Sequence, residues 1–163
     1  MYVIDNRAGV LDDEETVSWL FENRIQNAIK NNEKLTLKIA TGFFFIEGLE
    51  KMYDRLKELY EKQLLSKIEI LMGPETKKTT KEALKEIQDN TFASSEFVEF
   101  LRQLYEKGLI EIRIYSKKAF HVKLYIFKRG GTIDEVWAGS ANLTAAGLNE
   151  NIELVVSTGT NSD

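Results

Sequence analysis

The chain has 163 residues, of which 43% are hydrophobic and 29% charged, the balance of an ordinary soluble globular protein. It holds no cysteine and one histidine, which excludes a disulfide framework, a thiolate zinc site, a cysteine nucleophile and any multi-histidine metal site within one chain. The acidic amino terminus has no apolar signal core, and the longest greasy run, near Phe43 to Ile46, is too short to span a bilayer, so the reading is a cytoplasmic protein with no membrane partner.

In chain order, helical spacing marks Val17 to Ile29, then Ile46 to Tyr60, a more exposed stretch from Lys77 to Asp89, and Phe97 to Tyr105. Between and after them, runs rich in β-branched and aromatic residues predict strands at Leu35–Ala40, Lys67–Leu71, Ile110–Tyr115, His121–Phe127, Glu135–Gly139 and Ile152–Ser157. Strands and helices alternate early and strands cluster late, which predicts an α/β fold with a mixed sheet flanked by helices on both faces. Pro74 is the only proline and no Gly/Ser-rich linker interrupts the chain, so residues 1–163 are expected to form a single domain, one that could be excised from a longer polypeptide.

The formal net charge of -4 argues superficially against nucleic acid. Its distribution does not. Between Gly108 and Gly131 stand Arg113, Lys117, Lys118, Lys123, Lys128 and Arg129 against one acid, Glu111. By default such a cluster is a solvated surface, but this one overlaps the lone histidine. In the stretch "AFHVKLYIF", His121 and Lys123 lie two residues apart, and in a strand both side chains would leave on one face.

Lys128-Arg129-Gly130-Gly131 reads as a hairpin connection, and the strand after it runs into "GSANLTAAGLNENIEL". There Ser140 and Asn142 offer a hydroxyl and an amide where a strand gives way to a turn, groups suited to phosphate. Glu153, near the start of the last strand, could reach back to an imidazole and fix its tautomer. Each residue has a plainer use: a satisfied histidine, a solvated lysine, an exposed glutamate, and Asn142 as the cap of a turn from Leu143 to Ala146 that Gly147 ends.

Taken together, His121-Val122-Lys123 and Gly139-Ser140-Ala141-Asn142 resemble the paired motifs of the phospholipase D superfamily, in the version attached to helicases and restriction nucleases. The stretch "IATGFFFIEGLEKMYDRLKEL", from Ile39 to Leu59, resembles the early strand, loop and helix of the same members. The pattern departs at its aspartate, whose place is taken by Lys128; the next carboxylate is Asp134, beyond the glycine hairpin. The resemblance implies a phospholipase D-like half, in which the aspartate is more structural than nucleophilic.

It further implies a phosphodiesterase or endonuclease that acts on nucleic acid through a phosphohistidine. His121 would attack phosphorus, with Lys123, Ser140 and Asn142 neutralising charge on the nonbridging oxygens and Glu153 orienting the imidazole. No cofactor and no metal are implied. The family takes its leaving-group proton from a second His-x-Lys motif, so the single histidine implies a homodimer with one shared site. Lys117, Lys118, Lys128 and Arg129 are the expected nucleic-acid contacts, with DNA ahead of RNA as partner and a helicase motor conceivable in the same polypeptide. The alternatives are a nucleic-acid-binding module without turnover and a phospholipid hydrolase; for the latter, no basic amphipathic helix or apolar anchor is evident.

Overall fold

The computed structural model describes residues 2–5, 16–150 and 153–158. The elements run β1 (Tyr2–Asp5), α1 (Val17–Lys30), β2 (Leu35–Thr41), α2 (Ile46–Glu50), α3 (Tyr53–Glu61), β3 (Leu65–Met72), α4 (Lys78–Asp89), α5 (Glu96–Glu106), β4 (Ile110–Ile114), β5 (Lys123–Arg129), β6 (Thr132–Gly139), α6 (Ala145–Asn149) and β7 (Leu154–Ser157). The helices start where the sequence offers caps. The Thr16 hydroxyl accepts from the Trp19 amide at 3.2 Å to open α1, and Ser95 accepts from Val98 at 3.2 Å to open α5. The helical stretch from Ile46 to Tyr60 is two helices, broken at Lys51 and Met52.

The seven strands form one mixed sheet in the order β1-β7-β6-β5-β2-β3-β4. β2, β3 and β4 are parallel, and every other pair is antiparallel. β1 is a strand the sequence reading did not anticipate, and residue 152 of the expected last strand lies outside the described residues. The mixed sheet with flanking helices is the architecture expected, and α2 to α5 are the helices that connect its parallel strands. Right-handed crossovers that step the same way across a sheet, β2 to β3 and β3 to β4, must lay their helices on the same side.

The alternation along β2 displays the result: Leu35, Leu37, Ile39 and Thr41 are buried beneath the helices, whereas Thr36, Lys38 and Ala40 on the other face are half-buried. Lys38 pairs there with Glu69 at 2.5 Å. At the centre of the covered face, Phe21 of α1 meets Tyr125, Phe127 and Trp137 at ring-centroid distances of 5.9, 5.1 and 5.9 Å, all edge-on. Such pairs add to simple area burial and hold β5 and β6 to the helix layer. Among the described residues no helix is long and apolar enough to cross a membrane. Because Phe21 is fully buried among three rings, Phe21→Ala should lower stability by about 3–5 kcal/mol, read as a drop in the urea midpoint with an unchanged slope.

Candidate active site

The exit of β2, the entry of β5 and the exit of β6 meet at one end of the sheet, since Thr41 pairs with Lys123 and Leu124 with Ala138. His121 lies there, exposed, two residues ahead of β5 and outside regular structure. This corrects the expected start of the strand from His121 to Lys123, and the Lys123 ammonium donates to the His121 carbonyl at 2.9 Å.

What fixes the histidine segment is backbone packing. A Cβ on Gly42 would stand 2.8 Å from the Phe120 carbonyl oxygen and 3.3 Å from the His121 Cα, so only glycine lets β2 leave the sheet this close to the histidine. The same Cβ would lie 3.5 Å from Asn142 Oδ1, which places the Asn142 amide at the histidine's flank. Asn142 Oδ1 accepts the Phe43 amide at 3.0 Å. An N–H needs an oxygen, so the carboxamide orientation is settled and the two Nδ2 protons are the ones left for a ligand. Asn142 is therefore not the helix cap; Thr144 is, its hydroxyl accepting from the Gly147 amide at 2.9 Å to open α6.

Ser140 and Glu153 form the second wall. The Ser140 hydroxyl donates to the buried Glu153 carboxylate and accepts the Leu154 amide at 2.9 Å, while the Ser140 amide donates to the Leu154 carbonyl at 2.9 Å. Both Ser140 donors are thus committed within the protein. Gly139 permits this contact, since a Cβ there would fall 2.0 Å from the Leu154 carbonyl oxygen.

Two residues that the sequence reading did not single out complete the site. Tyr125, fully buried, donates its hydroxyl to the Ala141 carbonyl at 2.9 Å and so braces the Gly-Ser-Ala-Asn turn from below. Burial, and secondarily the Glu153 charge, pushes its phenol well above the ordinary value of 10.0. Its signal was present in the strand alternation, two residues after Lys123 and two before Phe127. The Phe43 ring stands edge-on to the His121 imidazole with centroids 6.3 Å apart.

The expected basic contacts divide. Lys117 and Lys118 are exposed in the loop between β4 and His121, at the site end of the sheet, and the Tyr115 and Phe120 rings close the neck of that loop at 5.3 Å. Lys128 and Arg129 end β5, about 20 Å away at ~3.3 Å per strand residue, and are not brought together with His121. Arg129 is held by Asp134 at 2.8 and 2.7 Å and by Glu33 at 3.2 Å.

The sheet order and this convergence of strand ends define a phospholipase D-like α/β domain. The profile of the NgoFVII restriction endonuclease N-terminal PLD domain family matches residues 21–163. The chain belongs to that family, whose members are nuclease domains of the phospholipase D superfamily. Polyphosphate kinase from Porphyromonas gingivalis superposes with a TM-score of 0.55 at 11% identity, over 99% of this chain and 20% of the kinase. Yeast tyrosyl-DNA phosphodiesterase gives 0.54 at 12% identity, over 95% of this chain and 31% of that one. The phospholipase D family member Nuc from Salmonella typhimurium gives 0.45 at 17% identity, over 85% of this chain and 72% of Nuc. The chain thus spans a third or less of the first two proteins, and what they share with it is the fold. No curated protein sequence matches the chain.

Removing the Tyr125 hydroxyl leaves the Ala141 carbonyl unpaired in the interior, so Tyr125→Phe should cost about 1–3 kcal/mol. The linkage has a definite sign. With the folded phenol raised and the unfolded one near 10, the unfolded chain releases its proton first, so this contribution is intact below about pH 10 and declines above it. Stability curves of wild type and Tyr125→Phe should therefore converge as pH rises from about 10, as measured by denaturation over that range.

Proposed function

We propose that this domain hydrolyses phosphodiester bonds of nucleic acid, DNA ahead of RNA, through a phosphohistidine, with the active site completed by a second copy of the chain. The observations that support the reading are the exposed His121, the Lys123 ammonium on its backbone carbonyl at 2.9 Å, and the nearby Asn142 carboxamide, whose Oδ1 is taken by the Phe43 amide. In the first step an imidazole nitrogen attacks phosphorus; a P–N bond forms, the P–O bond to the leaving alkoxide breaks, and the alkoxide takes a proton from the partner copy's imidazole. In the second, that imidazole removes a proton from water, the water oxygen bonds to phosphorus and the P–N bond breaks, returning His121.

The attacking nitrogen needs its lone pair, so the other ring nitrogen must hold the proton and donate it. Glu153, a buried carboxylate at this end of the sheet, is the proposed acceptor, with Ser140 holding it in place. Lys123 and the Asn142 Nδ2 group supply the positive potential at the nonbridging oxygens that a cation would otherwise supply. Ser140 reaches a phosphate only by releasing Glu153. That commitment favours a second reading, a cradle that binds nucleic acid without turning over. A helicase motor in the same polypeptide would serve either reading by delivering strand to the site.

Plasmid nicking in EDTA decides between them. Wild-type protein should nick, His121→Ala should be inactive, and Lys123→Ala should lose about 100-fold or more, the typical cost of one transition-state donor. Binding without nicking supports the cradle, and nicking that requires magnesium or survives His121→Ala removes the phosphohistidine. Sedimentation tests the shared site: activity per chain that persists at concentrations where the protein is monomeric would rule it out. Binding should also weaken steeply with salt, and Lys117→Glu with Lys118→Glu should flatten the log-log slope by nearly one unit per lost phosphate contact.

A further inference from the structure

The segment "GFFFIEG" between β2 and α2 spends two phenylalanines where the core does not need them. The chain is extended here, with φ -119° and ψ 135° at Phe45, so successive rings leave on opposite sides. Phe44 points inward: it is fully buried, and its backbone bridges to Leu143. Phe43 and Phe45 point outward, half-buried, with centroids 6.5 Å apart. The Phe43 ring adjoins His121, and the Lys77 ammonium, on a side chain 54% exposed, lies 4.6 Å from the Phe45 centroid while reaching Glu47 at 3.9 Å. Two half-buried rings thus stand on a backbone pinned by Asn142 Oδ1, beside the proposed nucleophile and next to a half-exposed cation.

We infer that Phe43 and Phe45 form a nucleobase subsite that selects single-stranded or locally unpaired nucleic acid at the cleavage site. The inference rests on the nucleic-acid reading above and adds its substrate class. Every base has a π face, so a pair of phenylalanine rings receives bases without regard to sequence, and a lysine nearby meets the adjoining phosphate. In a duplex those faces are already stacked on neighbouring pairs and are closed to the ledge. Only a base swung out of the stack, or one in a single strand, can lie on Phe45 while its phosphate reaches His121. A ledge that merely sheltered the imidazole would make no such distinction.

The test uses full-length His121→Gln protein in EDTA at fixed salt, with fluorescence anisotropy of a short labelled single-stranded DNA, the same strand as a duplex, and the same strand carrying an abasic tract. The single strand should bind more tightly than the duplex. Phe45→Leu should weaken single-strand binding by about 5- to 150-fold, the range for one lost base stack, and leave duplex and abasic binding unchanged. Phe45→Trp should retain single-strand binding, and Phe43→Leu serves as the second variant if Phe45→Leu fails to fold by circular dichroism. Equal losses on all three ligands, or a duplex preference, overturn the subsite. Failure of the two readings is separable: wild-type protein that nicks DNA with no strand preference sinks only the subsite, whereas Phe45-dependent single-strand binding without cleavage upholds the subsite and sinks the nuclease.

Discussion

One hydrogen bond organises this end of the molecule, that from the Phe43 amide to Asn142 Oδ1, joining residues 99 apart in sequence. Its first effect is structural, because it ties the exit of the parallel strand β2 to the turn after the antiparallel strand β6. Thr41 doubles the tie: its buried hydroxyl donates to the Phe43 carbonyl at 2.8 Å and accepts the Leu143 amide at 3.1 Å. Its second effect is chemical. With Oδ1 spent on the backbone, the amide presents only donors to the histidine side, the sign of group that an anionic phosphate requires. The histidine itself is in no regular element, so its position is inherited from Gly42, Phe43 and Phe120 around it.

Charge is arranged along the same axis. Lys117, Lys118 and Lys123 stand at the site end of the sheet, while at the far end Arg129 is neutralised by Asp134 and Glu33. An acidic chain can therefore offer a locally positive mouth, because Lys117, Lys118 and Lys123 stand together there. The Glu153 carboxylate is buried and accepts the Ser140 hydroxyl, which offsets its charge at this end of the sheet.

Most of the strands and the long helices were legible because periodicity is a one-dimensional signal, and the motif residues were legible because their spacing survives in sequence. What failed to read was set by tertiary packing. His121 lies outside β5 because the loop from Tyr115 to Phe120 is pinched by its rings and delivers the chain to the sheet only at Lys123. Lys128 and Arg129 are close to His121 in number, but an extended chain carries residues apart at ~3.3 Å each. Asn142 offered capping chemistry in sequence; Thr144 holds that role because Asn142 is drawn to β2 by a partner no local reading could supply.

The replaced aspartate raises a question of support rather than of chemistry. Lys128, in its place, follows Phe127 within β5, and Phe127 pairs across the ladder with Glu135. Glu135 is a buried carboxylate that receives the Arg24 guanidinium from α1 and the Ser157 hydroxyl from β7. A charge so placed is tolerated only when its partners stay, and it loses more on their removal than it gained from their presence. It consequently fixes α1, β6 and β7 in one arrangement. The chain thus has a buried structural carboxylate beside this hairpin, on β6, the strand next to the one that bears Lys123 and Lys128. Since that carboxylate is bound to α1 and β7 while His121 is exposed, Glu135 braces the sheet from its buried side and takes no part in the surface around the histidine.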